Sequence, residues 1–151
     1  MKIAFISSEV FPFSKTGGLA DVSRSLPDAL VSLGHEVKVF SPFYRSAIVT
    51  VKGKQVKKGL YAGSWGELGR FDLISLKDDP TYHFIKKDFF YDRAGVYGGK
   101  NGDYPDNALR YAFFSKAVLS SLIETDFIPE VIHCNDWQTG LVPFYLDLEA
   151  R

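Results

Sequence analysis

A chain of 151 residues can bury roughly 70% of the surface its unfolded form exposes, so one solid core is feasible. Eighteen basic side chains balance eighteen acidic ones, which removes any overall field for nucleic acid or an anionic membrane and leaves phosphate binding to local groups. A single cysteine, Cys134, excludes an internal disulfide framework. With the three histidines dispersed at 35, 83 and 133 it offers no zinc cluster, so no metal is expected and a reducing, cytoplasmic setting fits.

The first apolar run, KIAFIS over residues 2–7, is nearly continuous, as in a strand covered on both faces. It is too short for a signal peptide, and no later stretch reaches the length of a membrane span. From Leu19 to Leu33 the residues Leu19, Val22, Leu26, Ala29, Leu30 and Leu33 recur at helical spacing, and Gly34 supplies a stop signal. Pro27 lies inside this pattern and predicts a kink or a tightened turn. EVKVFSP, residues 36–42, is a second strand, and the succession of strand, helix and strand argues for a parallel crossover.

The middle, from Ile48 to Lys87, has β-branched and aromatic runs broken by Gly, Pro and Asp and predicts several short strands. Phe89 to Asn107 is too long and too mixed for a simple connector and reads as a functional loop. Helical spacing returns with Ala108, Tyr111, Ala112, Ser115, Val118, Leu119 and Leu122, with Asp103 or Asp106 available as a cap. EVIHCND is a third strand of the same style, followed by a helix over WQTGLVPFYLDLEA. That last helix stops without a glycine cap or polar tail, which suggests a piece of a longer polypeptide. The pattern implies an α/β fold: a Rossmann-like, mostly parallel sheet with helices on both faces, forming one domain over residues 1–151.

In open α/β sheets ligands gather beyond the carboxyl ends of the strands, and SKTGGLAD over residues 14–21 stands at such an end. Gly17 and Gly18 lack a Cβ, so a ligand can approach their amides closely, and the helix beginning there adds unpaired N–H groups and a positive dipole end. Lys15 contributes a full charge, and Asp21 a carboxylate that accepts hydrogen bonds from hydroxyls. Charge-assisted bonds are worth about 1.5–3 kcal/mol each, so two or three suffice to orient a phosphorylated ligand. A glycine pair before a helix is also a common turn. KTGGLAD is neither G-x-G-x-x-G nor G-x-x-x-x-G-K-[ST], and no acid follows the second strand to hold a ribose, which argues against a nicotinamide dehydrogenase or a P-loop ATPase.

Four blocks in order, SSEVFPFSKTGGLADVSRSLPDAL, YDRAGVYG, YPDNALRYAFFSKA and IHCNDWQTGLVP, resemble the N-terminal domain of the bacterial glycogen synthase and plant starch synthase family. The resemblance implies a retaining glucosyltransferase of two Rossmann-like domains facing across a cleft (GT-B), transferring glucose from ADP-glucose to the non-reducing end of an α-1,4-glucan. Carried over, Lys15 matches a lysine at the donor sugar and phosphates, and Gly17 and Gly18 match backbone near the pyrophosphate. Tyr97 matches a tyrosine lining the donor site. Asp21 and Asp136 match acids of the catalytic set. Glu9 fits the same motif either as a functional acid or as structural support. Gln138 stands where many members have histidine, and Asn135 where several do. The family's second domain, with most of the nucleotide pocket, lies outside these 151 residues, so an isolated fragment of this extent is expected to be inactive. The family implies no cofactor and no metal, and ADP against UDP, acceptor length and oligomeric state stay open.

Two other readings compete: a glucan or sugar-phosphate binding module without transfer, and a GT-B transferase using another nucleotide sugar. Adjacent strand residues point to opposite faces, so His133 and Cys134 do not form a nucleophile and base. Asp78 and Asp79 precede Pro80 and read as a turn. Among Phe89, Phe90, Tyr91, Tyr97 and Tyr104, one or two touch ligand and the rest form a satellite core under the loop. Arg110 and Lys116 read as a solvated helix face, with Arg110 near enough to steady the loop.

Overall fold

The computed structural model describes residues 1–51 and 54–150. In chain order it contains β1 (Lys2–Ile6), α1 (Gly18–Ser32), β2 (Glu36–Pro42), a short α2 (Ala47–Thr50) and β3 (Lys54–Tyr61). A 3₁₀ turn (Gly66–Gly69), β4 (Arg70–Leu76), β5 (Tyr82–Lys86) and α3 (Asp88–Tyr91) follow. The small hairpin β6 (Gly98–Gly99) and β7 (Gly102–Asp103) precedes α4 (Asn107–Glu124), β8 (Val131–Cys134), a 3₁₀ turn (Trp137–Thr139) and α5 (Val142–Ala150). Lys52 and Gly53, in the predicted middle strands, lie outside the described residues.

One six-stranded sheet has the order β3-β4-β5-β2-β1-β8. β1 pairs parallel with both β2 and β8, and β2 parallel with β5, whereas β3–β4 and β4–β5 are antiparallel. The parallel part is the half that the strand-helix-strand pattern announced. The antiparallel part comes from the middle segment, where Asp78 and Asp79 sit in the tight connection of β4 to β5 and the Asp79 carboxylate accepts the Thr81 amide at 3.3 Å.

Alternation along β1 divides the core. Ala4 and Ile6 face one cluster with Phe40, Phe113 and Val118, whereas Ile3 and Phe5 face another with Val39, Phe84 and, from α1, Leu26 and Leu30. Helices therefore cover both faces. His133 follows the same rule: its ring lies 4.7 Å from Phe5, whereas Cys134 packs with the other cluster.

The predicted faces need revision at both long helices. On α1 the buried positions are Ala20, Ser23 and Pro27, while Val22, Ala29 and Leu33 are exposed. Small residues let this helix sit close to the turn after β1, where the Ser23 hydroxyl donates to Ser7 Oγ at 2.7 Å. α1 runs unbroken through Pro27, and Gly34, at φ +85°, ends it in the left-handed region that only glycine adopts freely. α4 is buried on nearly every side, including Arg110, Phe113, Phe114 and Ala117, because it lies between the sheet and the 89–107 segment. The last predicted helix begins instead as a 3₁₀ turn, and α5 starts at Val142 with Pro143 in its first turn, where the missing amide costs nothing.

Candidate functional site

The chain leaves β1 through Ser7, Ser8 and Glu9, turns at Val10–Ser14, and enters α1 at Gly18. Lys15 reaches along this turn to Asp21, its ammonium 2.7 Å from both carboxylate oxygens. The two side chains are 46% and 54% exposed, and an ion pair so open to water is worth only about 0–1 kcal/mol, so a ligand can displace it cheaply. Added Cβ atoms at Gly17 and Gly18 would meet nothing within 4 Å. Gly17 has φ −153° and ψ −161°, an extended conformation any residue adopts, so open space and not backbone angle is what these glycines supply.

Glu9 is 2% exposed and occupies the inside of the same turn. One carboxylate oxygen accepts the Thr16 amide and, at 3.4 Å, the Gly17 amide; the other accepts the Thr16 hydroxyl at 2.7 Å and the Tyr97 hydroxyl at 2.5 Å. The Gly17 amide therefore faces an internal carboxylate. This departs from the expectation that both glycine amides serve an external phosphate; the open amide end of α1 begins at Gly18.

Tyr97 comes to this spot from the hairpin segment. That segment is built on close backbone approach: a Cβ on Gly98 would lie 2.5 Å from the Gly102 carbonyl oxygen, and one on Gly95 would collide with that of Gly98. The Tyr97 hydroxyl also shares a hydrogen with Ser8 Oγ at 2.7 Å, and burial followed by the bond to Glu9 raises its pKa. Its ring stands 6.0 Å from Tyr111 and 6.2 Å from Trp137, with Tyr111 and Trp137 edge to face at 5.2 Å. Burial pushes the Tyr111 phenol up to about 12, so this aromatic wall is neutral.

The third strand end supplies Asp136. Asn135 fastens it to β1, its amide nitrogen and side chain donating to the Ile6 carbonyl at 3.1 and 2.9 Å. Asp136 follows at φ +62°, ψ −179°, a region occupied almost only by glycine, and its carboxylate caps the Trp137 amide at 2.7 Å. Strain of this kind, about 1–3 kcal/mol, persists where the surroundings over-determine it and clusters at functional sites. Trp137 is 55% exposed beside Tyr97. In the sequence its one signal is its place, a tryptophan one position beyond a strand-end acid.

The structure thus brings Lys15, Gly17, Gly18, Asp21, Tyr97 and Asp136 to one edge of the sheet. Lys15 and Asp21 touch directly, Gly17 and Tyr97 meet through Glu9, and Asp136 adjoins the wall through Trp137. A hollow of about 240 Å³ beside Lys15 is lined by Thr16, Tyr44, Ser46, Arg93 and Val96. A larger one, about 380 Å³, lies at the opposite ends of the strands among Leu119, Leu122, Phe127, Ile132 and Leu146; it is mainly apolar and holds none of these residues.

Several supporting residues depart from expectation. Phe90 and Tyr91 are wholly buried and join the main core with Phe113, not a satellite; Phe89 is 65% exposed. Asp106 precedes α4, but its carboxylate takes both Arg93 guanidinium nitrogens, at 2.7 and 2.6 Å, instead of capping the helix, and that bond lowers its pKa. Lys116 pairs with Glu149 and lies over the Tyr145 ring, tying α4 to α5. Arg110 is fully buried. Its Nε donates to the Phe90 carbonyl and its Nη1 to the Val96 carbonyl and the Asn107 side chain, among the rings of Tyr91, Tyr104 and Tyr111.

The site is thus an α/β domain's mostly parallel sheet with a lysine, an acid and an aromatic wall at its carboxyl edge. Residues 2–151 match the family described as starch synthase catalytic domain, and the chain belongs to that family. It is 46% identical to Glycogen synthase 2 of Geobacter sulfurreducens, over 99% of this chain and 31% of that protein. Glycogen synthase of Acholeplasma laidlawii is 41% identical over 100% of this chain and 31% of its own length. Among solved structures, the catalytic domain of Starch Synthase IV from Arabidopsis thaliana, bound to ADP and acarbose, superposes with a TM-score of 0.73 at 29% identity, covering 98% of this chain and 30% of that one. The chain therefore spans about a third of the length of these relatives. No helix among the described residues is long and apolar enough to cross a membrane.

Proposed function

We propose that this chain is the N-terminal, Rossmann-like half of a GT-B glycogen synthase that transfers glucose from ADP-glucose to the non-reducing end of an α-1,4-glucan with retention. The observation that carries the reading is the exposed Lys15–Asp21 pair set on the same edge as Tyr97, Trp137 and Asp136 in a member of this family. Lys15 and the free amide end of α1 from Gly18 onward offset the charge of the diphosphate as it leaves, a contribution that grows as negative charge develops there. Asp21 and Asp136 accept hydrogen bonds from sugar hydroxyls, and Tyr97 with Trp137 offers a neutral face for a pyranose ring. The partners on this reading are ADP-glucose, the glucan and a second domain of the same enzyme that holds most of the nucleotide. A cytoplasmic setting fits the free thiol of Cys134.

ADP as the donor nucleotide is supported by the Arabidopsis relative, which is bound to ADP. The share of the relatives that this chain spans, about 31%, favours a second reading for the 151 residues taken alone: a module that holds glucan without transferring glucose. Incorporation of labelled glucose into glycogen by the uninterrupted product of the reading frame, with ADP-glucose against UDP-glucose, tests both. Transfer by that product and none by the 151-residue chain is expected. Transfer by the short chain would overturn the division of labour, and absence of transfer from either donor by the longer product would overturn the function.

A further inference from the structure

We propose that Glu9 is a positioning residue whose buried carboxylate locks the Lys15–Gly18 turn and the Tyr97 segment into a single arrangement; this rests on the transfer reading given above. Four donors from two separate stretches converge on its two oxygens: the Thr16 amide, the Thr16 hydroxyl, the Gly17 amide and the Tyr97 hydroxyl. No Lys or Arg forms an ion pair with Glu9 among the described residues. A carboxylate taken from water without a counter-ion is tolerated only where hydrogen bonds satisfy it, so the charge enforces the four contacts as a set. Thr16 sits between Lys15 and Gly17, so fixing its amide and hydroxyl fixes the direction in which Lys15 leaves the turn.

The main chain of Glu9 is held as well. The Ser7 hydroxyl donates to the Glu9 carbonyl at 3.0 Å, and Ser23 on α1 donates to that same Ser7 Oγ at 2.7 Å. Glu9 is thus held through its main chain to β1 and α1 and through its carboxylate to the glycine turn and the hairpin segment. Every group the carboxylate meets is a donor. Glutamine has the same shape but only one acceptor oxygen, so its amide nitrogen must face donors on one side. At 2% exposure Glu9 does not itself meet a ligand. Its effect passes through Lys15 and Tyr97, and it also removes the Gly17 amide from the groups open to a phosphate.

The test uses Glu9→Gln and Glu9→Asp, in the 151-residue chain for amide hydrogen exchange and in the uninterrupted reading-frame product for kinetics. In Glu9→Gln the Thr16 and Gly17 amides should lose at least about tenfold protection while Phe5 and Ile6 in β1 stay within about twofold. Turnover should fall at least about tenfold, and combining Glu9→Gln with Lys15→Ala should cost less than the sum of the two single losses, since part of the Glu9 effect passes through Lys15. Glu9→Asp, one methylene shorter, keeps the charge and should recover part of the protection at Thr16. Unchanged exchange at Thr16 and Gly17, or a loss spread evenly through β1 and α4, would overturn the proposal. Fully additive kinetic losses would do the same. If the wild-type product transfers no glucose while the exchange loss stays confined to the turn, the transfer reading fails and the locking role of Glu9 stands.

Discussion

Glu9 and Arg110 are both buried ions without an ion-pair partner among the described residues, and they solve the same problem in opposite ways. Glu9 collects donors, from amides and hydroxyls of the two stretches that carry Lys15 and Tyr97. Arg110 collects acceptors, chiefly the carbonyls of Phe90 and Val96, at the two ends of the segment that leads to Tyr97. The difference separates function from support. Arg110 stakes the 89–107 segment to α4 from beneath, and Glu9 joins that segment to the glycine turn at the working edge. A carboxylate can bind an amide and two hydroxyls at once, whereas a guanidinium with its five donors suits a bend full of carbonyls.

The comparison breaks most readily at Arg110. Arg110→Met keeps the apolar stem among Tyr91, Tyr104 and Tyr111 but leaves the buried Phe90 carbonyl without its donor and the Val96 carbonyl with only the Tyr111 hydroxyl at 3.4 Å, at about 1–3 kcal/mol for each weakened acceptor. A loss of about 3 kcal/mol in denaturant unfolding is expected, with Tyr97 and the hairpin showing the greatest gain in amide exchange. One nitrogen, Nη2, is already without a partner, a penalty that the variant sheds and that offsets part of its loss. A loss below about 1 kcal/mol would show that the cation is not what holds the segment.

A third buried ionisable group is handled by neutrality. His83 on β5 is 5% exposed, its ring 5.1 Å from Phe40 and its Nδ1 3.3 Å from the Thr81 carbonyl, and burial pushes its pKa down from 6.5 to about 4. In the unfolded chain the imidazole binds a proton below pH 6.5, whereas in the folded chain it stays neutral until about pH 4. Between those values the unfolded state holds more protons, so stability is fully present above pH 6.5 and declines on acidification through that window. At about 1.4 kcal/mol per pH unit the decline reaches about 3 kcal/mol at its limit, and about 2 by pH 5. His83→Leu should flatten this part of the curve in urea titrations at pH 7 and pH 5. An unaltered slope in that variant would place the acid sensitivity elsewhere.

How these three groups behave was not legible in the sequence, although their setting was. The nearly continuous apolar run at KIAFIS reveals β1, as expected of a strand covered on both faces, and EVKVFSP reveals β2. The face of α1 is only partly legible: Leu26 and Leu30 pack on the core as their spacing predicts, but the closest contact uses Ala20, Ser23 and Pro27, small residues that carry little weight in a hydrophobic pattern. Arg110 reads as solvated in the sequence because a lone arginine on a helix usually is. Its acceptors are backbone carbonyls 14 and 20 residues away, which no side-chain pattern reveals. At the site, Lys15, the glycine pair and Asp21 were visible as a strand-end cluster, and Tyr97 and Asp136 came only through family resemblance. The role of Glu9 required knowing that residues 9, 16 and 97 meet.

Lys15 sharpens the comparison from the exposed side. Its ion pair with Asp21 is open to solvent on both partners, so Lys15→Ala should change unfolding stability by less than about 0.5 kcal/mol. In the uninterrupted product, turnover or donor affinity should nevertheless fall at least about tenfold, equivalent to about 1.4 kcal/mol in the transition state. Activity lost without stability is the reverse of the pattern expected at Arg110. Unchanged kinetics would remove Lys15 from the site.

The smallest effect is expected at Gly18 and separates space from backbone freedom. The residue opens α1, its φ is not positive, and an added Cβ meets no atom within 4 Å. Gly18→Ala should therefore leave the fold intact and raise its stability by up to about 0.5–1 kcal/mol, by restricting the unfolded chain at a position already helical. A methyl group there stands in the open space that a diphosphate must enter to reach the first free amides of α1. Weakened donor binding in a variant that is equally or more stable means that the glycine is kept for approach, because neither strain nor a lost contact is present to explain it. Unchanged binding would place the diphosphate beyond the first turn of α1 and leave Lys15 as its main contact on this domain.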